Sequence, residues 1–585
     1  MLFRFLESRL QQAVAAVLPD VDLGTILIRP CPDPKFGDYQ TSALIAVAQA
    51  RKVSPRKLGA EVLAKLEVTE WCDKVEVAGP GFINFFLKPA ALGAALDAVA
   101  AGRQNIFEPA RQPRTVVIDF SSPNVAKPMH VGHIRSTILG DCLARTLRLL
   151  GHTVVTDNHI GDWGTQFGKL LVGWKRLLDR AALERDPIAE MERLYRTITA
   201  ECEQNPATLE LARQELVKLQ AGDEENLRLW REMQALSQSQ FDTIYGRLGV
   251  KFDHALGESF YNPWLRDVVE QLTSRGIARV SDGATAVFSD GSVPPKEDPF
   301  LISRDGEWQP NPALIQKTDG GFNYATTDLA TLDYRLRTWH PDQILYVTDG
   351  RQQLHFRQIF AAFRRWHPEA KVELVHVWFG SIQGKDGKPF KTRTGDTVKL
   401  SDLLDEAEER AFQVVTAKNP ELPEAACREI ARIVGIGAVK YADLAPNRQS
   451  DYVFDWDKIL ALQGNTAPYL QYAYTRIQSI FRKAGVAPAP TAEGFQLTEL
   501  EELRLAKHLL NFGLTLEAVA EECRPNYLCN YLFELAGHFG RFYEACPVLK
   551  GGDAVRASRL ALCAATARVL KQGLAVLGIE TTEQM

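Results

Sequence analysis

Two histidines three positions apart are the residues of this sequence whose spacing most directly suggests chemistry. His130 and His133 flank Gly132 in the stretch PNVAKPMHVGH, which follows the apolar run TVVIDF and precedes a helical pattern. Residues three apart lie on one face of a helical turn, so both imidazoles can reach one ligand. The free N–H groups and positive dipole of a helix N-terminus favour a phosphate there. The motif comprises Pro123, Asn124, Val125, Ala126, Lys127, Pro128, Met129, His130, Val131, Gly132 and His133.

Three interpretations of the histidine pair compete: a metal site, ordinary packing and a phosphate site. No third His, Cys or Asp stands at a spacing suited to zinc, so no metal ligand is predicted. An isolated pair would be typical of satisfied core or surface histidines. Here, however, the pair follows a strand and opens a helix, where doubly wound folds bind ligands. Gly132 lets a base or ribose approach the backbone. We therefore predict an ATP site in which His130 and His133 donate hydrogen bonds to phosphate oxygens.

The elements that position this motif form a β-α-β unit. TVVIDF (115–120) has the continuous apolar character of a buried parallel strand. A helical pattern follows through IRSTILGDCLARTLRLLG and closes at Gly151, and HTVVTDN predicts a second strand. Further strand patterns occur at ATAVFS, 343–348 and 371–382. This order predicts a doubly wound α/β domain.

The chain as a whole predicts an α/β fold in three parts. Residues 1–110 are expected to form a small N-terminal α+β domain. Residues 111–445 are expected to form a Rossmann-type domain, with a charged helical insertion at about 175–275. Residues 446–585 are expected to form an all-α domain. A length of 585 residues suits three or four units of roughly 150 residues each.

Composition limits the classes of function. Hydrophobic residues make up 45% and charged residues 24%, which is typical of a soluble globular protein. The net charge of −5 means that any RNA partner must meet local basic patches. The nine cysteines include no C-x-x-C pair, which favours free buried thiols. No stretch approaches 18 apolar residues, so we predict a cytoplasmic protein with no membrane partner.

Four stretches carry a family resemblance. They are IDFSSPNVAKPMHVGHIRSTILGD, HIGDWGTQFG (159–168), FNYATTDLAT (322–331) and the long run 434–477. The H-x-G-H form resembles the first signature of class I aminoacyl-tRNA synthetases, and the four stretches in this order resemble arginyl-tRNA synthetases. The resemblance implies a class I Rossmann-type catalytic domain that activates arginine with ATP and transfers it to tRNA. It also implies Mg²⁺ accompanying ATP and activation that requires bound tRNA.

An arginine site must pair a planar, permanently charged guanidinium, and carboxylates in apolar segments are the candidates. Asp119 lies near the end of the TVVIDF run. Asp328 follows Tyr324 by four positions, so these two share a helical face. Asp328 as a helix cap and Tyr324 as a core aromatic are the alternatives. The resemblance implies that Asn124 and Gln352 lie near the amino and carboxyl groups of arginine. Asp119 stands where many relatives carry Glu. The predicted arginine-binding set is Asp119, Asn124, Tyr324, Asp328 and Gln352.

The second class I signature is altered in this sequence. The corresponding loop is GKDGKPFKTRTGDTVKL (384–400), in which Lys391 and Arg393 provide positive charge and are predicted to be catalytic. Thr394 stands where the family usually has a second lysine. We hypothesise that Lys127 supplies the missing charge to the ATP phosphates. The alternatives are a basic turn at 384–400 and a solvated lysine at position 127.

The resemblance also implies where tRNA binds. The C-terminal helical region is expected to bind the anticodon side, and the N-terminal unit the tRNA elbow. Tyr469, Tyr472 and Arg476 share a helical face, and unpaired bases stack on such side chains, although helix packing is the alternative. We predict a monomer. A non-catalytic tRNA-binding paralogue is the alternative function, which the presence of the predicted catalytic residues disfavours.

Overall fold

The computed structural model describes residues 2–388, 390, 398–487 and 494–585. The N-terminal unit packs four helices on an antiparallel sheet of strand order β1-β2-β4-β3. Its elements are α1 (Leu2–Val17), β1 (Arg29–Pro30), β2 (Tyr39–Thr41), α2 (Ala43–Ala50), α3 (Pro55–Leu63), β3 (Cys72–Ala78), β4 (Phe82–Leu87) and α4 (Pro89–Ala100). The first helix is amphipathic, because Leu6 and Leu10 are buried on one face.

A second, parallel sheet organises the middle of the chain. Its first unit comprises β5 (Thr115–Phe120), α5 (Val131–Leu149) and β6 (Thr153–Asp157). This β-α-β unit confirms the sequence prediction. Val116 and Ile118 of β5 pack into one core cluster and Val117 into another, so both faces of the strand are covered. Burial on both faces explains why this strand is an unbroken apolar run.

A helical insertion follows β6. Its helices are α6 (Gln166–Leu177), α7 (Arg180–Arg185), α8 (Pro187–Gln204), α9 (Pro206–Gln220), α10 (Glu224–Leu248) and α11 (Leu265–Ser274). Asp179, Asp186, Asn205 and Asp223 each cap the next helix by accepting a hydrogen bond from a backbone N–H. Polar capping residues therefore divide this charged segment into separate helices.

The chain then returns to the parallel sheet through two small antiparallel sheets. The elements are β7 (Ala278–Ser281), β8 (Ala284–Val287), β9 (Leu301–Arg304), β10 (Glu307–Pro310), β11 (Ala313–Gln316), α12 (Tyr324–Trp339), β12 (Gln343–Val347), α13 (Gln353–Trp366) and β13 (Glu373–His376). The parallel sheet has the order β13-β12-β5-β6. Helix α5 packs on one face of it and α13 on the other, so β5 and β12 meet at the switch point of a doubly wound sheet.

The remainder is mainly helical. Its elements are β14 (Ile382–Gln383), α14 (Leu400–Lys418), α15 (Glu424–Leu444), β15 (Tyr452–Val453), α16 (Trp456–Ile459), α17 (Ala467–Ala484), α18 (Leu500–Leu510), α19 (Phe512–Glu522), α20 (Asn526–Ala545) and α21 (Asp553–Val576). The run 371–382 therefore contains β13 and the start of β14 rather than one strand. The predicted fold class is confirmed: an α/β catalytic unit lies between an α+β N-terminal part and a helical C-terminal part.

Buried residues from all three parts join in one core cluster that extends from Leu2 to Ile579. All nine cysteines are free thiols, and eight of them are buried. In the described part of the chain, no helix combines the length and apolar character needed to cross a membrane.

Candidate active site

A cavity of about 440 Å³ opens at the carboxyl ends of the parallel strands. Strand ends at the switch point of a doubly wound sheet are where such folds bind ligands. The structure brings all five residues predicted for arginine to this cavity, which is lined by Asp119, Asn124, Tyr324, Asp328 and Gln352. They come from the end of β5, the loop after it, the first two turns of α12 and the 3₁₀ turn before α13.

Asp119 lies on the floor of the cavity and already has a cationic partner. Its Oδ2 accepts a hydrogen bond of 2.7 Å from Nη2 of Arg335, which also donates to Oδ2 of Asp157 at 2.8 Å. The Arg335 side chain is 0% exposed, and its guanidinium lies 5.2 Å from the ring centroid of Tyr346. The two carboxylates thus share one internal arginine, whose single positive charge offsets only part of their combined negative charge.

Asp328 has a titratable partner instead. Its Oδ2 lies 2.5 Å from Nε2 of His355, on α13. Burial lowers the pKa of His355, but the hydrogen bond and charge of Asp328 outweigh it, and the net pKa is raised above the usual 6.5. Tyr324, at the first position of α12, is 69% exposed and stands at the mouth of the cavity. A cationic group of a substrate can therefore take the place of the His355 imidazolium beside the carboxylate of Asp328.

Glu258 is a cavity residue that no sequence motif pointed to. Burial, with the nearby charges of Asp328 and Asp162, raises its pKa to about 8. Among the described residues its carboxylate has neither an ion pair nor a hydrogen bond. The segment is held by Asp162, which accepts hydrogen bonds from the backbone N and the Oγ of Ser259. The only sequence signal is an acid between Gly257 and Ser259, which is too common a pattern to indicate a site.

The loop between β5 and α5 has an unusual backbone. Ser121, Ser122 and Ala126 have φ angles of 76°, 50° and 62°, a left-handed conformation that costs a non-glycine residue about 1–2 kcal/mol. Surrounding residues compensate: the N–H of Ser122 donates to Asn158 Oδ1, and that of Ala126 to Ser237 Oγ on α10. Such strain, held by neighbouring residues, is typical of functional loops.

Asn124 is positioned by a glycine on the next loop. A Cβ at Gly161 would lie 2.3 Å from Oδ1 of Asn124, so only glycine permits this approach. Backbone hydrogen bonds on both sides of the contact, Gly161 N to Pro123 O and Val125 N to Gly161 O, fix the two loops together. The stretch HIGDWGTQFG therefore holds the motif loop by backbone pairing.

The two histidines of the motif form a reciprocal helix cap. His130 is the N-cap residue of α5, and its Nδ1 accepts from Gly132 N at 3.1 Å, while Nδ1 of His133 accepts from His130 N at 3.0 Å. Because both Nδ1 atoms are acceptors, each neutral ring carries its proton on Nε2. A Cβ at Gly132 would lie 2.9 Å from Cε1 of His130, so the ring of His130 occupies the space that glycine leaves.

Both imidazoles are neutral at physiological pH. Burial and then the charge of Lys127 lower the pKa of His130. Burial and then the neighbouring His130 lower that of His133 to about 3. The ring centroids are 4.0 Å apart. The pair therefore presents two uncharged N–H donors at the helix N-terminus, an arrangement that suits phosphate oxygens.

Lys127 lies at the exposed edge of the same loop, and its ammonium group is 5.5 Å from the ring centroid of Tyr195 on α8. Lys391, Arg393 and Thr394 of the second signature lie outside the described residues. The chain re-enters the described part at Val398, whose carbonyl accepts from Val131 N at 3.0 Å. The beginning of α14 is therefore paired with the motif itself.

A buried ion pair ties α5 to the helical part of the chain. Arg135, 1% exposed, pairs through Nε with Asp443 Oδ1 of α15 at 2.9 Å and donates to Gly380 O at 2.7 Å. The same guanidinium lies over the rings of Phe379 and Tyr452. Helices α5 and α15 are thus joined by a buried ion pair, and neither helix can shift without disturbing it.

Three family models match the chain in succession. Residues 4–87 match the arginyl tRNA synthetase N terminal domain, residues 96–456 the catalytic domain of class I (R) tRNA synthetases, and residues 470–585 the DALR anticodon binding domain. The second match alone covers more than half of the chain. The chain belongs to the arginyl-tRNA synthetase family.

Individual relatives agree with the family along the full length. Arginine–tRNA ligases of Salmonella typhimurium and Salmonella newport are each 46% identical to this chain over 591 residues, covering 99% of both sequences. The arginyl-tRNA synthetase of Thermus thermophilus has a TM-score of 0.84 at 26% identity, covering 100% of both chains. That of Plasmodium falciparum has a TM-score of 0.82 at 27% identity, covering 100% of this chain and 99% of its own.

The predicted base-stacking residues lie in this family's anticodon-binding domain or at its edge. All three are on α17. Tyr472 is 45% exposed, whereas the ring of Tyr469 packs 5.7 Å from Phe533, and the guanidinium of Arg476 lies 4.5 Å from the ring centroid of Tyr543 on α20. Two of the three therefore have packing contacts within the synthetase, and Tyr472 is the most accessible.

Proposed function

We propose that this arginine–tRNA ligase binds the side chain of arginine between Asp328, Glu258 and Tyr324. The observation that carries the proposal is that two carboxylates and a phenol face one cavity beside the H-x-G-H helix start. A guanidinium is the cation whose planar donors match such a set. Asp119 contributes from the floor, where Arg335 already binds it, and Asn124 and Gln352 bind the amino and carboxyl groups.

The adjoining start of α5 is the site for the ATP phosphates. His130 and His133 donate Nε2–H bonds to phosphate oxygens, with the free N–H groups of the helix behind them. Lys127 adds a positive charge as negative charge develops on the pyrophosphate leaving group. Lys391 and Arg393 belong to the same proposal as further charges on the loop. Because both histidines are neutral, they can bind the phosphates without repelling Lys127.

The reaction then follows in two steps. A carboxylate oxygen of arginine attacks the α-phosphorus of ATP, the bond to the β-phosphate oxygen breaks, and pyrophosphate leaves. A hydroxyl of the tRNA terminal ribose next attacks the activated carbonyl, releasing AMP. The tRNA binds through the DALR domain and the N-terminal unit, with Tyr472, Tyr469 and Arg476 as candidate contacts. Because one chain carries all these assigned residues, we propose that the enzyme is a monomer. We also propose that it is cytoplasmic.

Mg²⁺ belongs to the nucleotide in this proposal. In the described part of the chain, no group of three or more His, Cys, Asp or Glu side chains could hold a metal ion. Phosphate oxygens are ligands that Mg²⁺ prefers, so the ion is assigned to the ATP phosphates, whose charge it neutralises when bound. No protein ligand is named for it.

Arginine-dependent ATP–pyrophosphate exchange, measured with and without tRNA, tests the proposal. Exchange that requires arginine and increases on adding tRNA is expected. Absence of exchange under both conditions would contradict the enzymatic assignment, and exchange supported by lysine in place of arginine would contradict the assignment of the cavity.

A further inference from the structure

Two lysines from different elements approach one tyrosine next to the motif. Lys127 Nζ lies 5.5 Å from the ring centroid of Tyr195, and Lys169 Nζ, on α6, lies 5.7 Å from the same centroid. Lys169 is also fixed by donating to Oγ1 of Thr199, one turn along α8 from Tyr195, at 3.3 Å. The helical insertion thus places a second ammonium group at the tyrosine ring that the lysine of the H-x-G-H loop approaches.

Neither charge is matched by an acid. Across the described residues, Lys127 and Lys169 form no ion pair with a carboxylate. Two acids of α8 pair with arginines of the same helix: Glu190 with Arg193, and Glu192 with Arg196. An aromatic face attracts a cation but carries no net charge, so it only partly offsets the repulsion between two ammonium groups. A bound anion would offset it fully.

We propose that Lys127 and Lys169, held around Tyr195, form a binding site for a phosphate group beside the H-x-G-H helix start. Lys169, which follows the stretch HIGDWGTQFG, is the new member. The inference rests on the proposed phosphate-binding role of that helix start. Two phosphate sources are chemically equivalent here: the pyrophosphate end of ATP and a phosphodiester near the 3′ end of tRNA.

The position of Lys127 supports a phosphate ligand. Lys127 precedes the helix-capping residue His130 by three positions, and its charge acts on the rings of both His130 and His133. The N-terminus of that helix favours a phosphate. Lysine ammonium groups on flexible stems bind phosphate as point charges.

The test uses Lys169→Met, which keeps the length of the side chain and removes its charge. In tRNA-dependent exchange, the apparent KM for pyrophosphate is expected to rise about fivefold with kcat within about twofold, the range for one partly exposed charge contact. Lys169→Arg should restore the wild-type KM for pyrophosphate. Lys218→Met, a half-exposed lysine of the same insertion paired with Glu215, is the control for net charge.

The two phosphate sources separate in the same experiment. A raised KM for pyrophosphate with an unchanged KM for tRNA in aminoacylation assigns the site to the ATP side, and the reverse result assigns it to tRNA. If both constants stay within about twofold of wild type, or if Lys218→Met changes them equally, the proposal is wrong. A wild-type enzyme without exchange would instead refute the proposed function, and a normal Lys127→Ala variant would refute the two-lysine site, because Lys127 is one of its two members. Thermal unfolding of each variant verifies its folding.

Discussion

Arg335 and Asp119 form a buried ion pair at the cavity proposed to bind arginine. Nη2 of Arg335 lies 2.7 Å from Oδ2 of Asp119, and the side chains are 0% and 5% exposed. Because the same guanidinium also pairs with Asp157, its single positive charge is shared by two carboxylates. An internal arginine therefore offsets part of the charge of an acid that we propose for substrate binding. Asp328 supplies negative charge to the cavity, whereas Glu258, whose pKa is raised to about 8, mainly keeps its proton near pH 7.

The Arg335 pair predicts a large stability effect. Arg335→Met strands the carboxylates of Asp119 and Asp157 in the protein interior. Removing one partner of a buried pair typically costs about 3–5 kcal/mol, and we expect the urea midpoint of the catalytic domain to fall accordingly. Arg337→Met, which removes an exposed arginine of the same helix, should change the midpoint little. Equal effects of the two substitutions would contradict the importance of the buried pair.

Asp328→Asn should abolish efficient use of arginine. The substitution keeps the shape of the side chain and removes the charge opposite the guanidinium, a loss that typically lowers kcat/KM by about 10²–10³-fold. The KM for ATP should remain within about twofold, because Asp328 belongs to the cavity and not to the helix start. Steady-state exchange kinetics with arginine varied at fixed ATP measure the first quantity. A variant that loses ATP and arginine affinity together would indicate a general disturbance.

The pair of His355 and Asp328 predicts that arginine binding depends on pH. The pKa of His355 is raised above 6.5, so at lower pH its imidazolium occupies the carboxylate that the substrate needs. The KM for arginine is expected to fall as the pH rises through this raised pKa. His355→Gln should remove the part of this change that follows the raised pKa of His355 and leave the part that follows Glu258, whose pKa is raised to about 8. The ion pair of His355 and Asp328 makes its full contribution to the stability of the free enzyme below pH 6.5. That contribution is lost as the pH rises through the folded-state pKa of His355.

Glu258→Gln should stabilise the free enzyme and weaken arginine binding. The pKa of Glu258 is raised to about 8, so the folded state keeps a proton that the unfolded chain releases above pH 4.5. The free energy of unfolding therefore falls as the pH rises from 4.5 to about 8. The amide introduced by Glu258→Gln does not titrate, so the substitution removes this loss. We expect a higher melting temperature at pH 7.5 but not at pH 4, by about 1 °C for each kcal/mol regained, because the unfolding entropy of a chain of 585 residues is large. A lower melting temperature at pH 7.5 would contradict the raised pKa.

Lys127→Ala should slow arginine activation. If the ammonium stabilises the leaving pyrophosphate, kcat of tRNA-dependent exchange falls about 10²–10³-fold. Lys251→Ala, at an exposed lysine beyond α10, provides the control for lost surface charge. A rate for Lys127→Ala within a few-fold of wild type would exclude this role.

By itself the sequence determined the fold class, the β-α-β unit around the motif and the candidate residues of the cavity. Continuous apolar runs mark strands buried on both faces, and helical spacing brings Tyr324 and Asp328 to one face, because both patterns arise from local backbone geometry. The identity of the family also follows from sequence, since its motifs are contiguous.

Only the tertiary structure decided the ion pairs, the burial and the protonation of those residues. Arg335 reaches Asp119 across 216 positions, and Glu258 enters the cavity after a helical insertion, through contacts that no local pattern encodes. The histidine tautomers depend on Nδ1 atoms accepting backbone hydrogen bonds, which spacing alone cannot specify. Lys127 and Lys169 lie near the same ring because Tyr195, on α8, is approached from both the motif loop and α6. Charge, burial and proton position depend on neighbours distant in sequence, because electrostatic free energy is set by the three-dimensional environment.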